Sequence, residues 1–246
     1  MCNLTVFSID IESGALLWYN VFINDLECNM KKLLIFDLDG TLADTLPSIT
    51  RAINLAANEF GYPERSIEDV RRAIGNGARL LCKRLMPKDE AKNDATVDAF
   101  LDCYESKYDL TYAEADTCYD GMSETLEELY KRGYMIAVLS NKQDKYVKPI
   151  AAHLVPAPML AYAAGQRAEY PKKPDPTVPL SIVESLGADL SACAFIGDSD
   201  VDVKTGKNMG VISVGCDWGY RPRAELIDSG ADFVISKPEE LLNIFK

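Results

Sequence analysis

Apolar positions along this chain fall into two regimes. In the first, roughly residues 46–115, they recur at helical spacing and no strand-like run interrupts them. The segment 47–60 places Ile49, Ile53, Ala56 and Ala57 on one face, and Gly61 and Pro63 stop it. Ser66 followed by Asp69 reads as a helix start with an acid in the first turn. Gly75-Asn76-Gly77 punctuates the pattern. Helices over 78–85 and 89–108 follow, the second with Ala95, Ala99 and Cys103 as its inner face.

Outside that block the pattern changes. A short continuous apolar run over 33–37 reads as a buried strand. After residue 120, helical stretches at 124–132, 142–153, 176–186, 201–209, 224–228 and 238–244 alternate with strand candidates at 134–139, 158–163, 192–196, 211–214 and 232–235. Alternation of this kind predicts an α/β fold, a doubly wound parallel-sheet core of Rossmann-like type with helices on both faces. The helical block is too long for a loop and interrupts the core after its first strand. The expected organisation is a core of residues 30–45 and 119–246 with an inserted α-helical cap domain over 46–118. Chain crossings near Leu46 and residues 118–120 would be its hinges.

Residues 1–29 contain no Lys or Arg, so they lack the charged start of a secretory signal. Asp10, Glu12, Asp25 and Glu27 interrupt any spanning helix. The reading is a cytoplasmic protein whose fold begins near Met30. Residues 1–29 would be an N-terminal extension outside that fold, or an extra hairpin packed on an edge.

Composition narrows the chemistry. With 26 basic and 38 acidic residues the net charge is −12, which argues against nucleic acid or an anionic membrane as partner. The seven cysteines are scattered and never form a CxxC pair, which fits a reducing compartment better than a disulfide or zinc framework. The single histidine, His153, excludes a His-rich metal site, and a Ser-His-Asp triad could have no other base.

In parallel α/β sheets, ligands bind beyond the carboxyl ends of the strands. There the sequence places Asp37-Leu38-Asp39-Gly40-Thr41, Ser140-Asn141, Lys172-Lys173-Pro174 and Gly197-Asp198-Ser199-Asp200-Val201-Asp202. Crowded carboxylates raise one another's pKa unless a cation neutralises them. A hard divalent ion such as Mg²⁺, held by carboxylates and substrate phosphate, does so. A lysine and hydroxyls suit the rest of a phosphoryl group, and helix starts after Ser140 and Ser199 could add backbone donors. With no usable His or Cys, a carboxylate is the best nucleophile available.

Asp37-Leu38-Asp39-Gly40-Thr41 resembles the first motif (DxDGT) of the haloacid-dehalogenase superfamily. Ser140-Asn141 is similar to its second motif, Lys173-Pro174 to its third, and Gly197-Asp198 with Asp202 to its fourth. The resemblance spans about residues 31–246. Trp218-Gly219-Tyr220, Glu225-Leu226 and Gly230-Ala231-Asp232 resemble the phosphoglycolate phosphatase-like branch with a helical cap. This resemblance implies a Mg²⁺-dependent phosphomonoester hydrolase acting on a small phosphorylated metabolite. By it, Asp37 is the nucleophile and Asp39 the general acid and base. Thr41, Ser140, Asn141 and Lys173 hold the phosphoryl group. Asp37, Asp198 and the Asp39 carbonyl bind Mg²⁺, and Asp202 orients Lys173 or metal-bound water.

Gly75, Asn76 and Gly77 are candidates for a substrate-facing loop, and Arg79 for meeting a substrate carboxylate. Several alternatives stay open. One is a sugar-phosphate mutase of the same superfamily. A phosphonate hydrolase would need a cap lysine such as Lys83, Lys88 or Lys92. A dehalogenase is disfavoured by Asp39. A non-catalytic phosphate-binding or signalling module is the reading of another class.

Overall fold

The computed structural model of the chain describes residues 6–9, 16–19, 31–113 and 117–246. It divides into two units, residues 1–30 and 31–246. In the first, Val6–Ile9 (β1) pairs antiparallel with Leu16–Tyr19 (β2), Val6 opposite Tyr19 and Ile9 opposite Leu16. The rest of the 1–29 segment, on which the expectation of an extension also falls, lies outside the described residues.

The second unit is built on a six-stranded parallel sheet. Its strands are Lys32–Phe36 (β3), Tyr134–Gln143 (β4), Leu160–Gln166 (β5), Cys193–Gly197 (β6), Ile212–Cys216 (β7) and Phe233–Ile235 (β8). Their order is β5-β4-β3-β6-β7-β8, every pairing parallel. The chain winds outward from β3 to β5, then returns to lay β6 on the other side of β3. The crevice between the ends of β3 and β6 is therefore the topological switch point of the sheet.

Strand β3 shows why the sheet must be covered on both sides. Its side chains alternate, and all four from Leu33 to Phe36 are fully buried. Leu34 and Phe36 join a cluster with Leu126 and Leu129 of Met122–Lys131 (α5) and with Val147 and Ile150 of Asp144–Leu154 (α6). Leu33 and Ile35 face the opposite layer. There they meet Ile182 and Val183 of Thr177–Leu186 (α7) and Met209 of Asp200–Met209 (α8). Arg223–Asp228 (α9) and Leu241–Ile244 (α10) complete the layers.

Strand β4 runs four residues further than its sequence pattern suggested. β5 continues beside it, and Gln143 still pairs with Gln166. Consequently α6 starts only at Asp144, and Ser140 and Asn141 lie within the strand rather than at a helix N-terminus.

Between β3 and α5 the chain forms four packed α-helices: Leu46–Glu59 (α1), Ile67–Ala73 (α2), Ala78–Leu85 (α3) and Asp94–Thr111 (α4). α2 begins with the expected reciprocal cap. Ser66 Oγ accepts from Asp69 N at 3.1 Å, and Ser66 N donates to Asp69 Oδ2 at 3.2 Å. The inner face of α4 differs from the expected one. Val97, Phe100, Tyr104 and Tyr108 are buried, whereas Ala95 and Ala99 are exposed and Cys103 half-buried. Both stripes have helical spacing, and the one carrying more apolar area is buried because burial free energy follows area.

Phe100 anchors this block, edge-on to Phe60 at 5.3 Å and 5.7 Å from Tyr62. Replacing it with alanine should cost about 3–5 kcal/mol, the range for truncating a buried aromatic. Leu110→Ala, at a position 72% exposed on the same helix, should change stability by no more than about 0.5 kcal/mol. Urea unfolding midpoints of the two variants check this; similar losses would mean that the inner face is misassigned.

Candidate active site

Four strand ends converge at the switch point. Asp37 follows β3, and its N–H donates to Ile196 O of β6 at 2.8 Å, so the nucleophile candidate is tied to the neighbouring strand. Asp198 follows β6, and Asp202 lies in the first turn of α8. Carboxylate oxygens of Asp37, Asp198 and Asp202 lie within 4.8 Å of one another. Lys173, on the segment after β5, reaches into this group. Its Nζ donates to Asp202 Oδ1 at 2.7 Å and pairs with Asp37 Oδ1 at 2.8 Å. The Asp37 contact is a charge pair at an angle that leaves Oδ1 without a hydrogen bond.

Each charged group has its own support. Asn141 grips the Lys173 backbone from both sides, its Oδ1 accepting from Lys173 N at 2.9 Å and its Nδ2 donating to Lys173 O at 3.2 Å. Asp202 Oδ2 accepts from both the N–H and the hydroxyl of Ser199, at 3.1 and 2.6 Å. Asp198 Oδ2 accepts from Tyr220 N at 2.6 Å, and its Oδ1 receives the Thr41 hydroxyl at 3.4 Å. The backbone crowds Asp198 closely. A Cβ on Gly219 would lie 2.3 Å from Asp198 Cβ, and one on Gly40 would lie 2.5 Å from its Oδ2. Gly40 also has φ +84°, which L side chains rarely adopt.

Asp39 points elsewhere. Its Oδ1 accepts from Thr45 Oγ1 at 2.6 Å and pairs with Lys142 Nζ at 2.7 Å. Thr45 is also 3.1 Å from the Tyr220 hydroxyl.

Charge sets the character of the cluster. Asp37, Asp198 and Asp202 carry three negative charges against one from Lys173, an excess of 3 − 1 = 2 when all are ionised. Burial pushes the Asp37 carboxyl up to about 6; Lys173 opposes the shift, and Asp202 and Asp39 add to it. Burial, reinforced by Asp202 and Asp37, raises Asp198 well above the usual carboxylate range. Burial works against the Lys173 ammonium, but Asp202 and Asp37 outweigh it and raise its pKa. The donor set is hard oxygen. Asp202 gives one oxygen to Lys173 and the other to Ser199. Asp198 Oδ1 holds only the 3.4 Å Thr41 contact and Asp37 Oδ1 no hydrogen bond, so Asp37 and Asp198 have the chemistry to share a divalent cation.

A cavity opens from these groups toward the helical block. Asp37, Asp39, Ser140, Asn141, Lys173 and Asp198 line its floor. Ile49, Ile74, Leu81, Tyr104 and Tyr108 line its walls. Thr41 is fully buried and does not line the cavity; its hydroxyl supports Asp198 instead. Gly75 and Gly77 line it, whereas Asn76 does not and accepts from Arg84 at 3.0 Å. Arg79 is not brought to the cavity. It pairs with Asp94 at 2.9 Å and Asp98 at 2.8 Å on the exposed side of the block.

Sequence reasoning missed two charged cavity residues. Lys142 directly follows Ser140-Asn141, so an extended β4 would have pointed to it. Arg221 donates to Arg71 O at 3.0 Å and Ile74 O at 2.7 Å, fastening the end of α2 to the core. It follows the Trp218-Gly219-Tyr220 stretch, and no sequence spacing links it to α2.

A parallel sheet with an aspartate–lysine cluster at its switch point defines an α/β enzyme with its chemistry on side-chain carboxylates. The profile of the haloacid dehalogenase-like hydrolases matches residues 34–216. A phosphoglycolate phosphatase of Pseudomonas syringae pv. tomato is 34% identical over 206 residues, covering 80% of this chain and 74% of that one. A phosphoglycolate phosphatase of Vibrio parahaemolyticus is 32% identical over 217 residues, covering 87% and 95%. The crystal structure of a predicted phosphoglycolate phosphatase from Haemophilus somnus superposes with a TM-score of 0.80 at 28% identity, covering 88% of this chain and 99% of that one. The chain belongs to the haloacid dehalogenase-like hydrolase family, on its phosphoglycolate phosphatase-like branch.

The raised carboxyl pKa values have a thermodynamic consequence. Asp37 titrates at about 6 in the fold against an ordinary value of 3.8. Its stabilising contribution is complete below pH 3.8 and lost as the pH rises through 6, and Asp198 acts in the same direction. In metal-free buffer, Asp198→Asn should therefore melt several degrees above the parent at pH 7, with the advantage gone near pH 3.5. Thermal unfolding at the two pH values checks this; equal melting temperatures at pH 7 would refute the strain ascribed to the cluster.

Proposed function

We propose that the chain is a Mg²⁺-dependent phosphomonoesterase acting on a small phosphorylated metabolite, 2-phosphoglycolate in the first instance, through an aspartyl-phosphate. The observation that carries this reading is the buried excess of carboxylate beside Lys173, with Asp39 set apart on its own partners. The relatives named phosphoglycolate phosphatase support the substrate.

Asp37 and Asp198, with the Asp39 carbonyl, would hold Mg²⁺. When bound, the ion supplies charge that keeps both carboxylates ionised and offsets the phosphoryl charge. The chain's own residues do the rest. Asp37 attacks phosphorus, a carboxylate O–P bond forms, and the ester P–O bond breaks. Asp39 gives the departing alkoxide its proton, so the products of this half are the alcohol and the aspartyl-phosphate. Asp39, now ionised, takes a proton from water as that water attacks phosphorus, releasing inorganic phosphate and restoring Asp37. Lys173 sits against Asp37 throughout, and Asp202 and Asn141 fix where its ammonium points. The Ser140 hydroxyl and the Asn141 backbone would contact phosphoryl oxygens. Thr41 contributes through its bond to Asp198. The helical block over 46–118 would act as a cap that shields the intermediate from bulk water.

The test is a phosphate-release screen over small phosphate esters, run with Mg²⁺ and with EDTA. Turnover of 2-phosphoglycolate is expected with Mg²⁺ only, and Asp37→Asn should reduce it to background. Mg²⁺ should raise the melting temperature of the parent and leave that of Asp198→Asn unchanged. Activity that survives both EDTA and Asp37→Asn would overturn the reading.

A further inference from the structure

A substrate whose leaving group carries a carboxylate needs a cation beside the departing oxygen. Lys142, Lys173 and Arg221 line the cavity. Lys173 is held between Asp37 and Asp202, against the phosphoryl position. Both terminal nitrogens of Arg221 donate to main-chain carbonyls of residues 71 and 74. Arg79, the arginine that the sequence offered for this task, is paired with Asp94 and Asp98 away from the cavity.

Lys142 is placed differently. Its side chain is 8% exposed, and its Nζ lies 2.7 Å from Asp39 Oδ1 and 4.8 Å from the centre of the Tyr108 ring. A group that protonates the leaving oxygen must approach it to about 2.6–3.2 Å. In a short 2-phosphooxy carboxylate, one carbon separates that oxygen from the carboxyl group, so the two lie only about 3–4 Å apart. A cation seated on Asp39 is therefore within reach of the carboxylate whenever Asp39 is within reach of the ester oxygen. An ammonium has three donors and can hold an Asp39 carboxyl oxygen and the substrate carboxylate at once. The Tyr108 face fixes its position by cation–π attraction.

We propose that Lys142 is the specificity-determining residue for the leaving group, its ammonium receiving a carboxylate borne one carbon from the ester oxygen while it stays on Asp39. This rests on the phosphatase reading and names the substrate class as short 2-phosphooxy carboxylates. In a water-poor site, removing one partner of such a charge pair is expensive and shows up as a large loss in binding.

The experiment compares 2-phosphoglycolate with 2-hydroxyethyl phosphate, which replaces the carboxylate by a neutral CH₂OH, in the parent protein, K142M and K142R. The parent should favour 2-phosphoglycolate by about 30-fold or more in kcat/KM. In K142M that preference should fall to near unity, chiefly through a raised KM for 2-phosphoglycolate. K142R should keep most of it. K142Q carries the same comparison if K142M does not fold. Equal losses on both esters in K142M would show that Lys142 acts only through Asp39 or through packing, and would overturn the assignment. So would a parent protein that treats the two esters alike. A parent protein that hydrolyses neither ester would instead bring down the phosphatase reading on which the assignment rests.

Discussion

The rest of the molecule is arranged around an electrostatic difficulty. Three largely buried carboxylates share a space 4.8 Å across, and a single lysine enters it. Such a group would relax apart if its members sat on loops. It is held because Asp37 and Asp198 leave adjacent strands of a sheet buried on both faces, and because the Asp37 N–H is hydrogen-bonded across to β6. Helix α8 then fixes Asp202 through Ser199, and Asn141 on β4 fixes the lysine through its main chain. The sheet gives up conformational freedom to keep like charges together, which suits the proposed site for a cation and a phosphoryl anion.

The division of labour between Asp37 and Asp39 follows from direction within the turn after β3. The two are separated by one residue yet have different partners. Asp37 faces Lys173 and the other acids, whereas Asp39 faces Thr45 and Lys142. In the proposed reaction one carboxylate would attack and the other would move a proton, and neither would have to change place between the two halves.

Much of this was legible in the sequence. Leu33 to Phe36 is a continuous apolar run because both faces of β3 are covered, and acid-rich or hydroxyl-bearing residues stand where the strand ends must be. What the sequence hid was hidden for physical reasons. β4 runs on past Ser140 and Asn141 because its pairing with β5, irregular after Leu139, resumes at Gln143, and pairing is not written in local propensity. On α4, small residues and aromatic residues form two stripes of equal period, and only the area each could bury decides between them. Arg79 looked like a ligand in one dimension, but α4 brings Asp94 and Asp98 to it first. Lys142 and Arg221 act through partners about 100 and 150 positions away, which no short motif encodes.

Arg221 also says something about how the roof over the site is fastened. It grips oxygen atoms of the peptide chain at positions 71 and 74, not the side chains there. Every amino acid supplies that oxygen, so the grip is indifferent to which residues occupy those two positions. The helices facing the cavity can thus be redecorated to suit a different guest without loosening the buckle that seats them.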